Sequence, residues 1–380
     1  MKVSTFLGFG AVTAGLLMSS VANAEDFKPE VITTRESIDP GPNVFVNQME
    51  IRGPGSLAVF SRDTLAFKGL ISAGTFGQMY ISPDSKTAYT VNTYMRRAVR
   101  GEVEQTLEVY DVATMVLKKE ILLPPKVAQA LSYTALLQES AQGKYMFVQN
   151  ATPATSITVV DQASGAVTQE IPGPGCYGIY PSAKPEIFAT ACGDGTFQTF
   201  TLSADGRNAK SVKSVKIFDA DTDPVFISSV KSGNDHFFIS YGGTVYRLSD
   251  ADGAMKVADK FQINDGIEGN WAPGGYELLG INEKNGVLFV TMHPDAKEGS
   301  QKAAGSEIWA IDLHTKKLLS RSQAPRVTSI SVTEGEVPTL FGTTEDSKLV
   351  RMTADPKAGF ALTVANTVPL MGFALELVAK

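Results

Sequence analysis

One strand–turn–strand unit recurs along the chain, and it constrains the fold more than any other feature of the sequence. Each copy starts at a small or polar residue, alternates apolar and polar positions, passes through a polar turn and continues as a second alternating strand. Alternation with a period of two around Asp, Gly, Ser or Thr turns is typical of an antiparallel hairpin. The seven copies start at Gly55, Gln105, Thr155, Gly195, Gly243, Ser306 and Ser347.

The spacing of these units predicts the architecture. Their starts are 40 to 63 residues apart, the range in which propeller blades repeat, and another pair of short strands fills each interval. The turns are too short for the crossover helices of a parallel α/β fold. We therefore predict an all-β, seven-bladed β-propeller of four-stranded antiparallel blades. A β-helix or two stacked β-sandwiches fit this unit length less well.

The two ends of the chain are expected to complete the ring. The strand Met371-GFALELVA and the strand near Val44-FVNQME should share one blade. The best helical candidate, from Pro125 to Leu137, would be an insertion. The predicted domains are an N-terminal extension with the ring-closing strand at 25–52 and the propeller at 53–380.

The N-terminus has the pattern of an export signal. Met1-Lys2 is followed by an apolar stretch from Phe6 to Met18 and by Val21-Ala22-Asn23-Ala24, which predicts a signal peptide, residues 1–24, cleaved after Ala24. The apolar run is shorter than the roughly 18 residues of a membrane span, and a membrane anchor is the alternative. We expect a periplasmic protein. Its mild acidic excess, 33 Lys and Arg against 40 Asp and Glu without the signal, argues against nucleic acid as a partner.

Cys176 and Cys192 are the only cysteines in the sequence. Two cysteines in an exported chain, sixteen positions apart, predict one disulfide. A metal site is the rival interpretation, but two sulfurs with no neighbouring histidine make a poor zinc site. Aspartates at blade turns could hold a cation in the central channel, but Asx turns account for them more simply. These aspartates are Asp84, Asp194, Asp223 and Asp346, and we predict no metal site.

Motifs of known catalytic chemistry are scarce in this sequence. It contains no G-x-S-x-G elbow, H-E-x-x-H pair, P-loop or strand-following G-x-G-x-x-G. His293, on a long loop, is the most plausible functional histidine, although ordinary hydrogen bonding accounts for it, and His236 and His314 are expected to be structural. Trp309 is expected in a blade core and Trp271 in a loop. From its residues alone, the chain shows no catalytic apparatus of its own.

An ordered set of segments between about Thr75 and Asp312 carries a resemblance to a known family. It resembles the large subunit of the tryptophan-tryptophylquinone amine dehydrogenases, the aromatic (aralkylamine) branch more than the methylamine branch. The segments are Thr93-YMRRAVRGEVEQTLEVYD, Leu122-LPPKVAQALSY, Val148-QNATPATSITVVD, Gly175-CYGIY with Cys192-GDG, Asp223-PVFIS, Asn270-WAPGGYELLG, Val290-TMHPDAKEG and Glu307-IWAID.

The resemblance implies a heterotetramer of two large propeller subunits and two small, disulfide-rich subunits. The small subunit would carry the quinone, made from two of its own tryptophans. The complex would oxidise a primary amine to an aldehyde, release ammonia and pass electrons to a blue copper protein. This chemistry needs an electrophilic carbonyl that captures the amine and a base that removes its α-proton. Our hypothesis is that both belong to the partner chain, so we predict no catalytic residue here.

The resemblance also indicates residues at the site. In this family an aromatic side chain from the first inter-blade loop lies at the pocket mouth, and the matching stretch here is Ser72-AGTFGQMY. The family has Phe directly after the glycine, where this chain has Thr75 and then Phe76, so these two are the substrate-channel candidates. The alternative is that Phe76 packs in the core at a blade entrance. Guanidinium groups and aromatic rings suit subunit interfaces, although a solvated edge with no partner is the alternative for the arginines. The interface candidates are Arg96, Arg97, Arg100, Trp271, Tyr276 and His293.

Two other functions remain open at this stage. One is a stand-alone propeller that binds a protein partner through one face. The other is a lactonase-type propeller hydrolase with a divalent ion in its central channel.

Overall fold

The computed structural model describes residues 34–50, 53–98 and 100–380. The predicted signal peptide and its cleavage site lie outside these residues. Within the described chain, no helix is long and apolar enough to cross a membrane. The described secondary structure consists of β-strands and a few three-residue 3-10 turns.

Five sheets are separate, four-stranded and antiparallel. The first contains β1 (Asn43–Met49), β2 (Ser56–Ser61), β3 (Phe67–Ser72) and the last strand of the chain, β28 (Phe373–Ala379). The second contains β4 (Thr75–Ile81), β5 (Thr87–Met95), β6 (Val103–Asp111) and β7 (Leu117–Leu123). The third contains β8 (Leu137–Glu139), β9 (Tyr145–Asn150), β10 (Ser156–Asp161) and β11 (Ala166–Pro172). The fourth contains β12 (Cys176–Pro181), β13 (Ile187–Cys192), β14 (Phe197–Leu202) and β15 (Ala209–Lys213). The fifth contains β16 (Val230–Ser232), β17 (Asp235–Ile239), β18 (Thr244–Ser249) and β19 (Lys256–Gln262).

The remaining strands form one eight-stranded sheet. They are β20 (Ala272–Pro273), β21 (Leu279–Asn282), β22 (Val287–His293), β23 (Gly305–Asp312), β24 (Lys317–Val332), β25 (Thr339–Thr344), β26 (Lys348–Asp355) and β27 (Ala361–Pro369).

The prediction of four-stranded antiparallel propeller blades is confirmed, but the prediction of seven separate blades is wrong. The structure has five separate four-stranded blades, because β24 is one continuous strand of 16 residues that joins what would otherwise be two sheets. Its first part, up to Gln323, pairs mainly with β23, and its last part, from Val327, pairs with β25. Between the two lie Pro325 and Arg326, whose φ of 54° bends the strand without ending it.

The chain ends meet as predicted. β28 pairs with β1 in antiparallel register, with Val44 opposite Ala379 and Val46 opposite Leu377. The first strand of the chain therefore lies between the last strand and β2. The helical prediction is wrong. Between Pro125 and Leu137 the structure has only a three-residue 3-10 turn, Thr134–Leu136, directly before β8.

Alternation within the strands builds the core between adjacent sheets. Phe147 of the third sheet and Phe188 of the fourth are both fully buried, and their ring centroids are 4.5 Å apart. Such aromatic pairs add to the stability that comes from the area they bury. Cys176 and Cys192 face each other on β12 and β13 and form a disulfide, as predicted.

The innermost strands follow one another around a central channel. β4 contacts β8, β8 contacts β12, β16 contacts β21, and β24 contacts both β21 and β28. In a propeller these strands run in the same direction, so their first residues gather at one end of the channel. We call it the mouth end.

Candidate functional site

The residues predicted to be functional all lie in segments at the mouth end. Thr75 begins β4 and pairs with Thr93 near the end of β5, so the turn after β5 also lies there. Tyr276 directly precedes β21, and His293 ends β22 opposite Ala272. The candidate residues that the family resemblance indicated therefore lie at one end of the molecule.

Thr75 and Phe76 differ in what they can contact. Thr75 is buried, and its hydroxyl donates to the Gly53 carbonyl at 3.1 Å. Phe76 is half-buried and sits in a bulge of β4 with φ of 56°, a left-handed conformation that is rare for a bulky residue. Strained backbone of this kind is often found at functional sites. Phe76 is thus the better placed of the two substrate-channel candidates, and its role stays a prediction.

Aromatic side chains surround the channel at this end. Tyr276 lies between Tyr133 and Phe373, with ring-centroid distances of 6.2 Å and 6.3 Å. Tyr177, at the start of β12, is near enough to Tyr133 for its hydroxyl to influence the pKa of that residue. With Phe76, each of these residues precedes or begins an innermost strand. We call this set the aromatic rim: Phe76, Tyr133, Tyr177, Tyr276 and Phe373.

The tyrosines of the rim are held in their neutral form. Burial raises the pKa of Tyr133, with a further contribution from the charge of Glu277, and burial raises the pKa of Tyr177 to about 12. Burial also raises the pKa of Tyr276. The rim therefore presents apolar rings and hydroxyls that keep their protons at neutral pH.

Two buried carboxylates, Glu277 and Glu376, lie below the rim, and we call them the axial carboxylates. Glu376 accepts hydrogen bonds from Ser132 Oγ at 2.5 Å and from Asn47 Nδ2 at 3.0 Å. Burial raises the pKa of Glu376 to about 8 and the charge of Glu277 adds to this, whereas the hydrogen bonds from Asn47, Ser132 and the Met79 amide lower it. Without a positive partner, the carboxyl group of Glu376 resists ionisation.

Glu277 connects three segments around the channel. Its Oε1 accepts from the Thr134 amide at 2.7 Å and the Thr134 hydroxyl at 3.0 Å, and its Oε2 accepts from Ser228 Oγ at 2.8 Å. Burial raises the pKa of Glu277, and these hydrogen bonds lower it. Sequence analysis missed both axial carboxylates, since a lone Glu in a strand carries no motif.

The arginine candidates occupy an exposed turn. Arg96 forms a 3.4 Å ion pair with Glu102, and both side chains are mostly in solvent. The Arg97 amide donates to the Arg100 carbonyl, which closes the turn. In the described part of the chain neither the Arg97 nor the Arg100 guanidinium has an ion-pair partner. Exposed pairs such as Arg96–Glu102 contribute little to stability, so the three guanidinium groups can meet carboxylates of another chain.

Trp271 and Trp309 are neighbours, which the sequence did not indicate. Their ring centroids are 5.7 Å apart, and the Arg321 guanidinium lies 4.5 Å from the Trp271 ring and 5.0 Å from the Trp309 ring. Glu307 accepts from Trp309 Nε1 and Arg321 Nε, both at 2.7 Å. Trp309 is fully buried, as predicted. Half-buried Trp271 is therefore held by intramolecular stacking and does not project as a free interface residue.

His293 is buried beside a cleft of about 640 Å³. Its Nδ1 lies 2.9 Å from the Pro294 carbonyl, and its ring packs against Gly274. A buried ring in this position supports the loop that follows β22. Among the predicted interface residues, only Tyr276 belongs to the aromatic rim. The arginine turn lies in the second blade, apart from Trp271 and His293 in the eight-stranded sheet.

Comparison with known proteins decides the family. Residues 57–368 match the sequence profile described as "Methylamine dehydrogenase heavy chain (MADH)". The chain belongs to the methylamine dehydrogenase heavy-chain family. Its relatives are subunits of an amine oxidoreductase, which agrees with the class of enzyme that the sequence resemblance implied.

Individual heavy chains are distant relatives. The methylamine dehydrogenase heavy chain of Methylophilus methylotrophus is 24% identical, and the match covers 94% of this chain and 92% of that protein. The one from Methylobacillus flagellatus is 25% identical over 74% of this chain and 70% of that protein. A third, from Paracoccus versutus, is 22% identical, with 72% and 64% covered. The narrower resemblance to the aralkylamine branch stays a prediction.

Solved structures share the fold of this heavy chain. A candidate 6-phosphogluconolactonase from Bacteroides fragilis superposes with a TM-score of 0.60 at 16% identity, covering 92% of this chain and 100% of that one. Another from Bacteroides uniformis gives 0.61 at 13% identity, with 91% and 100% covered. At such low identity the likeness shows the propeller fold alone.

Proposed function

We propose that this heavy chain is the large subunit of a periplasmic, quinone-dependent amine dehydrogenase. The enzyme converts primary amines, aromatic or arylalkyl amines above all, to an aldehyde and ammonia, and passes the electrons to a blue copper protein. Its assembly contains two large and two small subunits. The match of residues 57–368 to the heavy-chain family carries this proposal.

The reactive quinone, tryptophan tryptophylquinone, belongs to the small subunit in this proposal. When bound, it supplies the electrophilic carbonyl that captures the amine. The contacts of this chain's tryptophans support the division of labour. Trp309 is fully buried and donates its indole N–H to Glu307, and Trp271 is stacked on Arg321. An amine cannot reach the Trp309 ring without opening the blade, so we assign neither ring a role in catalysis.

The mouth end is the proposed docking face for the small subunit. Met371 and Phe373 are exposed there, at 73% and 39%, and apolar side chains of this kind mark interaction surfaces. The arginine turn supplies positive charge for partner carboxylates. The rim would form one wall of the substrate channel, because neutral tyrosines and phenylalanines favour the ring of an aryl amine over a charged group.

We also infer that the two halves of the eight-stranded sheet act as two blades. Each half has at least three strands of its own and shares β24 with the other. Counted in this way, the ring would have seven blades, and the bend at Pro325 would mark the boundary.

Co-expression tests the proposed function. The chain is produced with its own signal sequence, alone and with the small cysteine-rich subunit, and amine-dependent dye reduction is measured in periplasmic fractions. We expect activity only from the pair, with kcat/KM at least tenfold higher for 2-phenylethylamine than for methylamine. Higher kcat/KM for methylamine would contradict the aromatic specificity alone. A pair that forms and oxidises neither amine would contradict the proposed function itself.

A further inference from the structure

The far end of the channel, opposite the mouth end, opens into a cavity of about 600 Å³, which we call the far cavity. It is lined by residues at or next to the ends of four innermost strands, among them Tyr80, Glu139, Pro181 and Lys231. Its volume is within the range of small-molecule sites. Neither the aromatic rim nor the axial carboxylates line it, so it is separate from the site at the mouth end.

Lys231 supplies the far cavity with an amine. Its Nζ donates to the Pro181 carbonyl at 3.0 Å, and Nε2 of His236 lies 3.1 Å from the same oxygen. Burial lowers the pKa of Lys231, and the charge of Asp250 opposes this effect. The side chain nevertheless keeps an exposed part that a ligand can reach. A lysine in this situation has a larger neutral, nucleophilic fraction than an ordinary surface lysine.

The carboxylates of the far cavity already have hydrogen-bond donors. Asp84 accepts from Ser82 Oγ at 2.6 Å. Glu139 accepts from the Tyr80 hydroxyl at 3.2 Å and from Gln162 Nε2 at 2.7 Å. With these donors in place the carboxylates need no cation, and their charges repel an anion that would otherwise pair with the lysine. A neutral ligand therefore fits the charges of the cavity best.

We propose that Lys231 binds small neutral aldehydes in the far cavity as a reversible imine. The amine nitrogen adds to the carbonyl carbon, and a C=N bond replaces the C=O bond. Both amine protons leave with the carbonyl oxygen as one water molecule, and no electrons are transferred. Tyr80, Pro83 and Pro181 offer apolar surface to the rest of the aldehyde.

The class of ligand connects this site to the proposed function. An amine dehydrogenase of the proposed kind releases an aldehyde, so the far cavity would hold part of its product away from the mouth end. That source of aldehyde rests on the proposed function, whereas the reaction of Lys231 with an aldehyde does not.

Reductive trapping on the intact chain tests this proposal. The purified wild-type chain is incubated at pH 7 with benzaldehyde and sodium cyanoborohydride, which reduces an imine to a stable secondary amine. Peptide mass spectrometry then follows each lysine over time. We expect Lys231 to gain the benzyl group at least fivefold faster than any other lysine of the chain, and a smaller preference overturns the proposal. Because the aldehyde is added, the result does not depend on whether the enzyme oxidises amines.

Lys380 separates the effect of the cavity from the effect of burial. Burial also lowers its pKa, but it does not line the far cavity. Equal labelling of Lys380 and Lys231 would mean that low basicity alone is responsible, and it would overturn the far cavity as a binding site.

Lys231→Arg confirms the assignment. It keeps the positive charge and a donor for the Pro181 carbonyl, and we expect it to lose the fast labelling. Fast labelling that persists in this variant also overturns the proposal. The comparison of lysines within the wild-type chain stands even if the variant fails to fold.

Discussion

Phe76 combines a half-buried aromatic ring with a left-handed backbone at the channel mouth. Glycine adopts this conformation at little cost, so Phe76→Gly removes the ring and relieves the backbone at the same time. In the assembled enzyme we expect the KM for 2-phenylethylamine to rise roughly five- to tenfold, the size of a lost apolar pocket contact. The KM for methylamine should change less than twofold, because methylamine has no ring to contact.

Phe360 provides the matched control for this substitution. It is also half-buried, and its backbone is left-handed with φ of 64°. It lies in the turn between β26 and β27, at the end of the sheet opposite the mouth end. Phe360→Gly should leave both KM values unchanged. Equal effects of the two substitutions on KM would remove Phe76 from the substrate channel.

His236 makes the stability of the fold depend on pH. Burial lowers its pKa to about 4, the charge of Lys231 lowers it further, and Asp250 and the Pro181 carbonyl oppose these effects. Since the unfolded chain takes up this proton near pH 6.5 and the folded chain only near pH 4, stability is lost as pH falls through that interval. The loss should reach about 3 kcal/mol.

Urea unfolding at pH 7 and pH 4.5 measures this loss. His236→Gln, which can still donate to the Pro181 carbonyl, should reduce the difference between the two pH values. His314→Gln removes an exposed histidine and should not. If wild type and His236→Gln lose the same free energy between the two pH values, His236 is not the group responsible.

The sequence predicts the contacts of single residues best where their chemistry leaves few choices. The pairing of Cys176 with Cys192 was predictable, because a chain that is expected to be exported and has two cysteines has one bridge to form. The burial of His293 and the stacking of Trp271 were not. Both depend on neighbours, such as Gly274 and Arg321, that no local pattern assigns to them.

The pairing of β1 with β28 closes the ring. Leu377 of β28 is 2% exposed and packs in the core between the first blade and the eight-stranded sheet. We expect Leu377→Ala to lower the free energy of unfolding by about 3 kcal/mol, the typical cost of a cavity at a buried leucine. Val364 of the outermost strand β27 is 48% exposed, and Val364→Ala should cost less than about 0.5 kcal/mol. Urea unfolding compares the two, and equal losses would contradict the closure described here.

Strand patterns predicted the elements more reliably than their connections. Alternation located the hairpins and the meeting of the chain ends, because side-chain periodicity reports burial directly. It did not indicate that β24 continues through Pro325, since a proline normally suggests the end of a strand. The helix expected near Pro125 is absent because that segment is used to reach the innermost strand β8.

The whole molecule brings together residues that the sequence keeps far apart. Asn47 and Glu376 hydrogen-bond across a separation of 329 positions, so no motif could have grouped them. The aromatic rim likewise draws one residue from each of several blades. Such sites exist only once the ring has closed. For this reason the sequence indicated the family and the residues at the mouth end but did not indicate the axial carboxylates.

In the proposed enzyme the amine-trapping carbonyl lies on a partner chain. A hydrazine reagent that captures reactive carbonyls, followed by intact mass measurement of each subunit of the purified complex, tests this most directly. We expect the small subunit to gain the mass of the adduct and the heavy chain to keep the mass of its unmodified sequence after export. An adduct on the heavy chain, at Trp271 or Trp309 in particular, would contradict it.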